Sequence, residues 1–320
     1  MKEIPITEIE NLKIGNAQDI EGGTGCTVLL CARGMPAGLD VRGGGPASRE
    51  SQLLSPLAAA EAVHAVLLSG GSAFGLDAAG GVMRYLAERD VGFDTGITKV
   101  PLVCASCLFD LVVGSPDARP DAKMAYAACR AAEQDAPEEG NFGAGTGATV
   151  GKYHGPATMM KSGLGIYAVQ LGDLKVGAVV AVNALGDVFD IDSGRRLAGM
   201  LTPDLSTFAD TERTMYTENT VRGNLFTGNT TIGAVITNAR FDKTKMNKIA
   251  AMAHNGYARA LNPVNTTADG DSIYALSVGD MQSDLNLVGT LAARVMGKAV
   301  ARAVLRAEPA YGLKTARDFL

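Results

Sequence analysis

The strongest constraint on the fold is a set of short apolar runs with almost no polar alternation, at residues 27–31, 63–69, 100–112, 174–182, 231–237 and 272–278. A strand with one wet face alternates apolar and polar residues, whereas a strand covered on both faces reads as a continuous Val/Ile/Leu run. Several of these runs are of the second kind, so they predict sheets with no solvent face. Glycine clusters at 22–25, 43–45, 70–81 and 143–151 punctuate them, marking tight turns and close backbone approaches. Helical spacing appears over 244–261, where Met246, Ile249, Ala250, Ala253, Tyr257 and Leu261 recur at threes and fours opposite Lys245, Lys248 and Arg259. Further helices are predicted over 285–306, 72–89 and 121–134. The pattern is mixed α/β, with no internal repeat, low-complexity tract or linker, and a polar segment at 202–220 reads as an exposed loop.

A chain of 320 residues accommodates one large domain or two ordinary ones. With 29 Lys and Arg against 34 Asp and Glu, the net charge is -5, which argues against nucleic acid as a partner. No segment reaches the roughly 20 apolar residues of a membrane-spanning helix, and residues 1–15 carry no secretory hydrophobic stretch, so a soluble cytoplasmic protein is expected. The cysteines Cys26, Cys31, Cys104, Cys107 and Cys129 fit reduced thiols. Cys104 and Cys107 form a CxxC in an apolar run, with neither a second CxxC nor a nearby His to complete a metal set.

Most catalytic signatures fail on spacing. GAGTGATVGK at 143–152 misses the phosphate-loop register at Thr146 and Tyr153, and SGGSAFGLDAAGG at 69–81 lacks GxGxxG, although amides at the start of its helix suit an anion or carboxylate. His64, His154 and His254 show no spacing that couples them to a Ser or Cys nucleophile. What stands out is GNTTIGAVITNA at 228–239, where polar chain passes through Gly228 and Asn229 into an apolar strand beginning at Thr230. A Thr pair also simply favours a strand. A Thr at a newly freed chain start, however, carries both a hydroxyl and an α-amine of unperturbed pKa about 7.7–8.0, so nucleophile and base come in one residue.

Four further segments give that junction a context: DVRGGGPASRE at 40–50, LLSGGSAFGLDAAGGV at 67–82, GATVGKYHG at 147–155 and VGAVVAVNALGDV at 176–188. With GNTTIGAVITNA and DGDSIYALS, they resemble the family of L-aminopeptidase/D-esterases, β-aminopeptidases and the endo-type 6-aminohexanoate-oligomer hydrolase. The resemblance spans most of the chain. It implies an αββα four-layer sandwich, two β-sheets packed between helical layers, in a single catalytic domain 1–320 cut into an α-chain 1–229 and a β-chain 230–320.

It further implies an amide hydrolase acting through an acyl-enzyme without metal or organic cofactor, on a small amide or peptide, as a homotetramer of αβ units. Thr230 matches the nucleophile, freed by a cut after Asn229. Asn183 matches the oxyanion donor and Lys152 a lysine whose charge keeps the new amine neutral. Asp269 and Asp271 match the carboxylates of the Thr branch; two apart on an extended chain, they project to one face, where one can orient the amine and the other hold the lysine. Where the family has a Tyr as second oxyanion contact, Phe109 stands here. Two other readings remain: an ornithine or glutamate N-acetyltransferase-like enzyme, whose Ala-Thr-Met cleavage signature recurs at Ala157, Thr158 and Met159, and a non-catalytic, uncleaved homologue.

Overall fold

The computed structural model describes residues 1–219 and 228–320. The strands of its two main sheets are β1 (Lys2–Ile4), β2 (Lys13–Asp19), β3 (Thr24–Met35), β4 (Ala37–Val41), β5 (Ala47–Arg49), β6 (Val63–Ser69), β7 (Val103–Cys107), β8 (Leu164–Leu171), β9 (Leu174–Asn183), β10 (Thr230–Ala239) and β11 (Ser272–Met281). The α-helices are α1 (Ala79–Ala87), α2 (Ala122–Ala132), α3 (Thr211–Glu218), α4 (Lys243–Ala260) and α5 (Leu285–Leu305). One sheet has six strands in the order β1-β8-β9-β10-β11-β4, and the other has five in the order β2-β3-β6-β7-β5. Pairing is antiparallel within both except for β10 with β11 and β6 with β7, which are parallel.

The apolar runs are explained by where their alternate residues go. On β9, Val176, Ala178, Val180 and Val182 face α4 and α5. Val179 and Ala181, with Ile232, Ala234 and Ile236 of β10, face inward onto Leu29, Val66 and Leu68 of the second sheet. The second sheet's other face, including Val28, Leu30, Ala65 and Leu67, packs on α1 and α2. The result is the αββα sandwich the resemblance implied, with the central strands of both sheets, such as β6, β9 and β10, dry on both faces.

Several elements differ from the sequence reading. The run at 100–112 is a strand only over Val103–Cys107; beyond it Leu108 and Val113 are buried in a turn, closed by the Val113 N–H on the Asp110 carbonyl (2.9 Å), because burial does not require extended chain. The segment at 202–220, whose last residue lies outside the described residues, contains α3, started by Asp210, whose carboxylate accepts the Arg213 N–H at 2.8 Å. Thr211 is its one buried residue, so no apolar stripe announced the helix. The helix expected over 72–89 begins as a 3-10 turn, Ser72–Ala78, before α1. Five of the main-sheet strands lie outside the predicted runs: β1, β4 and β5 are only three to five residues long, and polar Asn16, Gln18 and Gln170 and half-buried Tyr167 break the apolar character of β2 and β8.

Close approach of backbones sets the layer spacing. A Cβ on Gly165 of β8 would lie 1.9 Å from the Ala299 carbonyl oxygen and 2.6 Å from the Ala303 nitrogen of α5. Gly165→Ala is therefore expected to destabilise the fold by about 1–3 kcal/mol, as overpacking does, read as a lower urea midpoint with unchanged slope.

Candidate active site

Thr230 is the first residue of β10, and its antiparallel partner is Asn183, the last residue of β9. Directly opposed residues share a face, and this one is the face turned to the second sheet. Thr230, Asn183, Asp269 and Asp271 are all buried. The Thr230 hydroxyl donates to the carbonyl of Asn229, the peptide bond at which the chain was expected to be cut. That same carbonyl accepts the Gly270 N–H at 3.2 Å. The Asn229 side chain is anchored by its amide on the Ala268 carbonyl at 3.2 Å. Thr231 faces the other way, its hydroxyl without a partner among the described residues and its N–H donating to Asp271 Oδ1 at 2.6 Å.

A second carbonyl, that of Gly228, gathers the cationic and amide donors. Lys152 Nζ donates to it and to the Asn183 carbonyl, the latter at 2.9 Å. Asn183 Nδ2 donates to it at 3.2 Å and to the Phe109 carbonyl at 2.8 Å. The orientation of this amide follows from its other end: the Thr149 N–H, 3.0 Å away, must meet oxygen, so the nitrogen faces Gly228. Position 109 thus contributes a main-chain carbonyl that aims Asn183, whatever its ring carries. The Thr149 N–H and the Phe109 carbonyl escaped the sequence reading because main-chain donors and acceptors leave no residue-type signal.

The two carboxylates hold backbone rather than the lysine, which corrects the expected pairing. Asp269 accepts from the N–H groups of Leu185 (3.3 Å) and Thr266 (3.2 Å). Asp271 accepts from Thr231 and, at 2.9 Å, from the Asn265 N–H. Burial raises both carboxyls above the usual range, and for Asp271 the charge of Asp269 adds to it. They act on Lys152 through their field. Burial lowers its ammonium to about 7, partly opposed by Asp269, Asp110 and Asp271. Burial thus loosens the lysine's hold on its proton, which makes its expected charge effect conditional on pH.

Other candidates lie elsewhere. His64 accepts the Leu102 N–H (3.2 Å), His154 pairs with Glu218 (2.7 Å), and His254 meets Asp40 (3.3 Å). All five cysteines are buried and free, and among the described residues no group of His, Cys, Asp and Glu is placed to hold a metal. Thr158 sits in a 3-10 turn, Pro156–Thr158, not at a strand start. No described helix is long and apolar enough to cross a membrane. The glycine-rich 69–81 segment donates the Gly71 N–H, at 2.7 Å, to Asp110, a buried carboxylate that also accepts the Thr24 hydroxyl at 2.7 Å.

The model of peptidase family S58 matches residues 5–317. The chain belongs to peptidase family S58. As a member it is a hydrolase. Among its relatives, an uncharacterized aminopeptidase of Mycobacterium leprae is 34% identical over 97% of this chain and 92% of the relative. The 6-aminohexanoate-oligomer endohydrolase of Kocuria sp. is 28% identical over 92% of this chain and 84% of the relative. The fold is shared with a β-aminopeptidase of Burkholderia sp., with a TM-score of 0.70, 15% identity and coverage of 98% and 92%. It is shared too with the L-aminopeptidase D-Ala-esterase/amidase of Ochrobactrum anthropi, described as a variant of the Ntn hydrolase fold, with a TM-score of 0.67, 17% identity and coverage of 95% and 86%.

Asp110 supplies a pH test of this buried charge cluster. Burial raises its carboxyl to about 6, opposed by Thr24 and Gly71. A carboxyl with a folded pKa above its unfolded value favours folding below the unfolded value, and that contribution is lost as pH rises through the folded one. Asp110→Asn is therefore expected to be more stable than the parent by about 1–3 kcal/mol at pH 8. The gain should shrink through pH 6 and vanish near pH 4, as read from urea midpoints across that window.

Proposed function

We propose that the chain cuts itself between Asn229 and Thr230 and then hydrolyses small amides or peptides through a Thr230 acyl-enzyme, with the α-amine of Thr230 as base. The observation that carries this is the Thr230 hydroxyl on the Asn229 carbonyl at the start of β10, beside Asn183 and Lys152. In turnover the Asn183 amide meets the oxyanion, Lys152 tunes the charge around the amine, and Asp269 and Asp271 hold the loop and strand start that carry the nucleophile. The aminopeptidase and 6-aminohexanoate-oligomer endohydrolase relatives support an amide as substrate. Following the resemblance, the pieces 1–229 and 230–320 stay together and assemble as a homotetramer of αβ units.

Intact mass and N-terminal sequencing test the cut, with Thr230 expected as the new chain start. Thr230→Ala should abolish both cleavage and hydrolysis, while Thr230→Ser retains slower forms of both, having lost only the methyl that restricts χ1. Thr231→Ala, on the opposite face, should still be cut after Asn229. A Thr230→Ala protein that hydrolyses aminoacyl amides normally would end the proposal.

Asn183→Ala should lower kcat by about a hundredfold to a thousandfold, the range for a lost oxyanion donor, with a far smaller change in KM. A rate within a few-fold of the parent would leave Asn183 as a satisfied strand end.

A further inference from the structure

We infer that self-cleavage has an oxyanion donor of its own, the Gly270 backbone N–H, distinct from the Asn183 amide of turnover; this rests on the proposed cut at Thr230. Two carbonyls enter the site of the uncut chain. That of Gly228 takes Asn183 Nδ2 at 3.2 Å together with Lys152. It is not the carbonyl that reacts. The reacting carbonyl, on Asn229, takes the Gly270 N–H at 3.2 Å and the Thr230 hydroxyl. Asn183 is engaged one residue upstream of the bond to be broken, and Gly270 is the main-chain donor at the bond itself.

Gly270 is held by its surroundings in the way a preorganised donor requires. The run Gly43–Gly44–Gly45 lies backbone to backbone against its loop. The N–H groups of Arg42 (3.0 Å) and Gly43 (3.2 Å) donate to the Asp271 carbonyl, Gly44 to that of Thr266 (3.2 Å), and Gly45 to that of Asp269 (2.8 Å). A Cβ on Gly43 would lie 2.3 Å from the Asp271 nitrogen, and one on Gly44 2.8 Å from Thr267 Cα. The glycines of DVRGGGPASRE, which no catalytic role had absorbed, are thus what lets this loop be clamped. On its other side Gly270 touches the nucleophile: a Cβ there would lie 2.8 Å from Thr230 Oγ1 and 2.7 Å from the Gly45 carbonyl. Asp269 and Asp271 anchor the loop on either side through Leu185, Thr266, Thr231 and Asn265.

The chemistry is an N-to-O acyl shift followed by hydrolysis. The Thr230 oxygen bonds to the Asn229 carbonyl carbon, and the charge that develops on that carbonyl oxygen falls on the Gly270 N–H. The carbon–nitrogen bond then breaks, the Thr230 nitrogen taking the proton given up by the hydroxyl, which leaves an ester. Water adds to the ester carbon, yielding the Asn229 carboxyl group and returning a hydrogen to the Thr230 oxygen.

The test replaces Gly270 with glycolic acid in the full chain by cell-free translation, exchanging the N–H for an ester oxygen without adding a side chain. The readout is the rate at which the full-length chain becomes 1–229 and 230–320. That rate should fall about a hundredfold, as on losing one oxyanion donor. Glycolic acid at position 45 removes the N–H that donates to the Asp269 carbonyl while keeping that of Gly270, and should slow the cut by less than about tenfold, as one ordinary hydrogen bond would. Asn183→Ala should likewise be cut within about tenfold of the parent while losing turnover by the larger oxyanion factor. A 270 ester cut at the parent rate, or slowed no more than the 45 ester, overturns the donor assignment. An Asn183→Ala chain cut as slowly as the 270 ester overturns the separation of the two donors. A parent chain that is never cut, or is cut elsewhere, overturns the Thr230 reading itself and this inference with it.

Discussion

The rung on which Asn183 of β9 opposes Thr230 of β10 is the contact on which the site depends. A slip of one residue would turn Thr230 toward the helices and bring Thr231 to the inner face. Alternation cannot protect that register here, because both faces of both strands are apolar. Steric and polar pins do so instead. A Cβ on Gly177 of β9 would lie 2.2 Å from Ile6 Cδ1, and one on Gly233 of β10 would lie 2.8 Å from the Tyr257 hydroxyl. The Asp271 carboxylate holds the Thr231 N–H at 2.6 Å, fixing the strand one residue past Thr230. A fold that buries its central strands twice thus specifies the Asn183–Thr230 rung with glycines and one carboxylate.

That solution places several ionisable groups where burial disfavours their charge. Lys152, Asp110, Asp269 and Asp271 are each shifted toward neutrality by desolvation. Backbone N–H groups meet the carboxylates, and carbonyls meet the lysine. Such a cluster weakens the fold relative to apolar packing and suits proton transfer near neutral pH. The sandwich core around it supplies the burial that makes both true.

Legibility in the sequence followed the kind of interaction involved. The doubly buried strands were readable because Val, Ile and Leu at consecutive positions exclude a wet face, and α4 because Met246, Ile249, Ala253 and Tyr257 keep helical spacing. The four-layer arrangement and the grouping of Lys152, Asn183, Thr230, Asp269 and Asp271 came through family motifs, since these residues are far apart in the chain and no local periodicity unites them. Composition alone reached only mixed α/β. Other features stayed hidden: the two-turn helix α3, in which Thr211 is the one buried residue; the short or partly polar strands β1, β2, β4, β5 and β8; the shortness of β7, where an apolar run continues into a turn; and the main-chain partners. The carbonyls of Phe109 and Gly228 and the N–H of Gly270 are groups every residue has, and only the folded chain shows which of them meet the site.

The Gly228 carbonyl has one more consequence. It is the shared acceptor of Lys152 and Asn183, so in the uncut chain the donors that would receive a substrate are already occupied by the protein's own backbone. Under the proposed cleavage, breaking the bond at Thr230 would not by itself vacate that seat; the severed end, then ending in a carboxylate beside a lysine, would first have to swing away. On the proposed reading, ripening of the enzyme is then two events, a chemical scission and a departure. The interval between them is set by how firmly one lysine and one amide hold a spent acceptor.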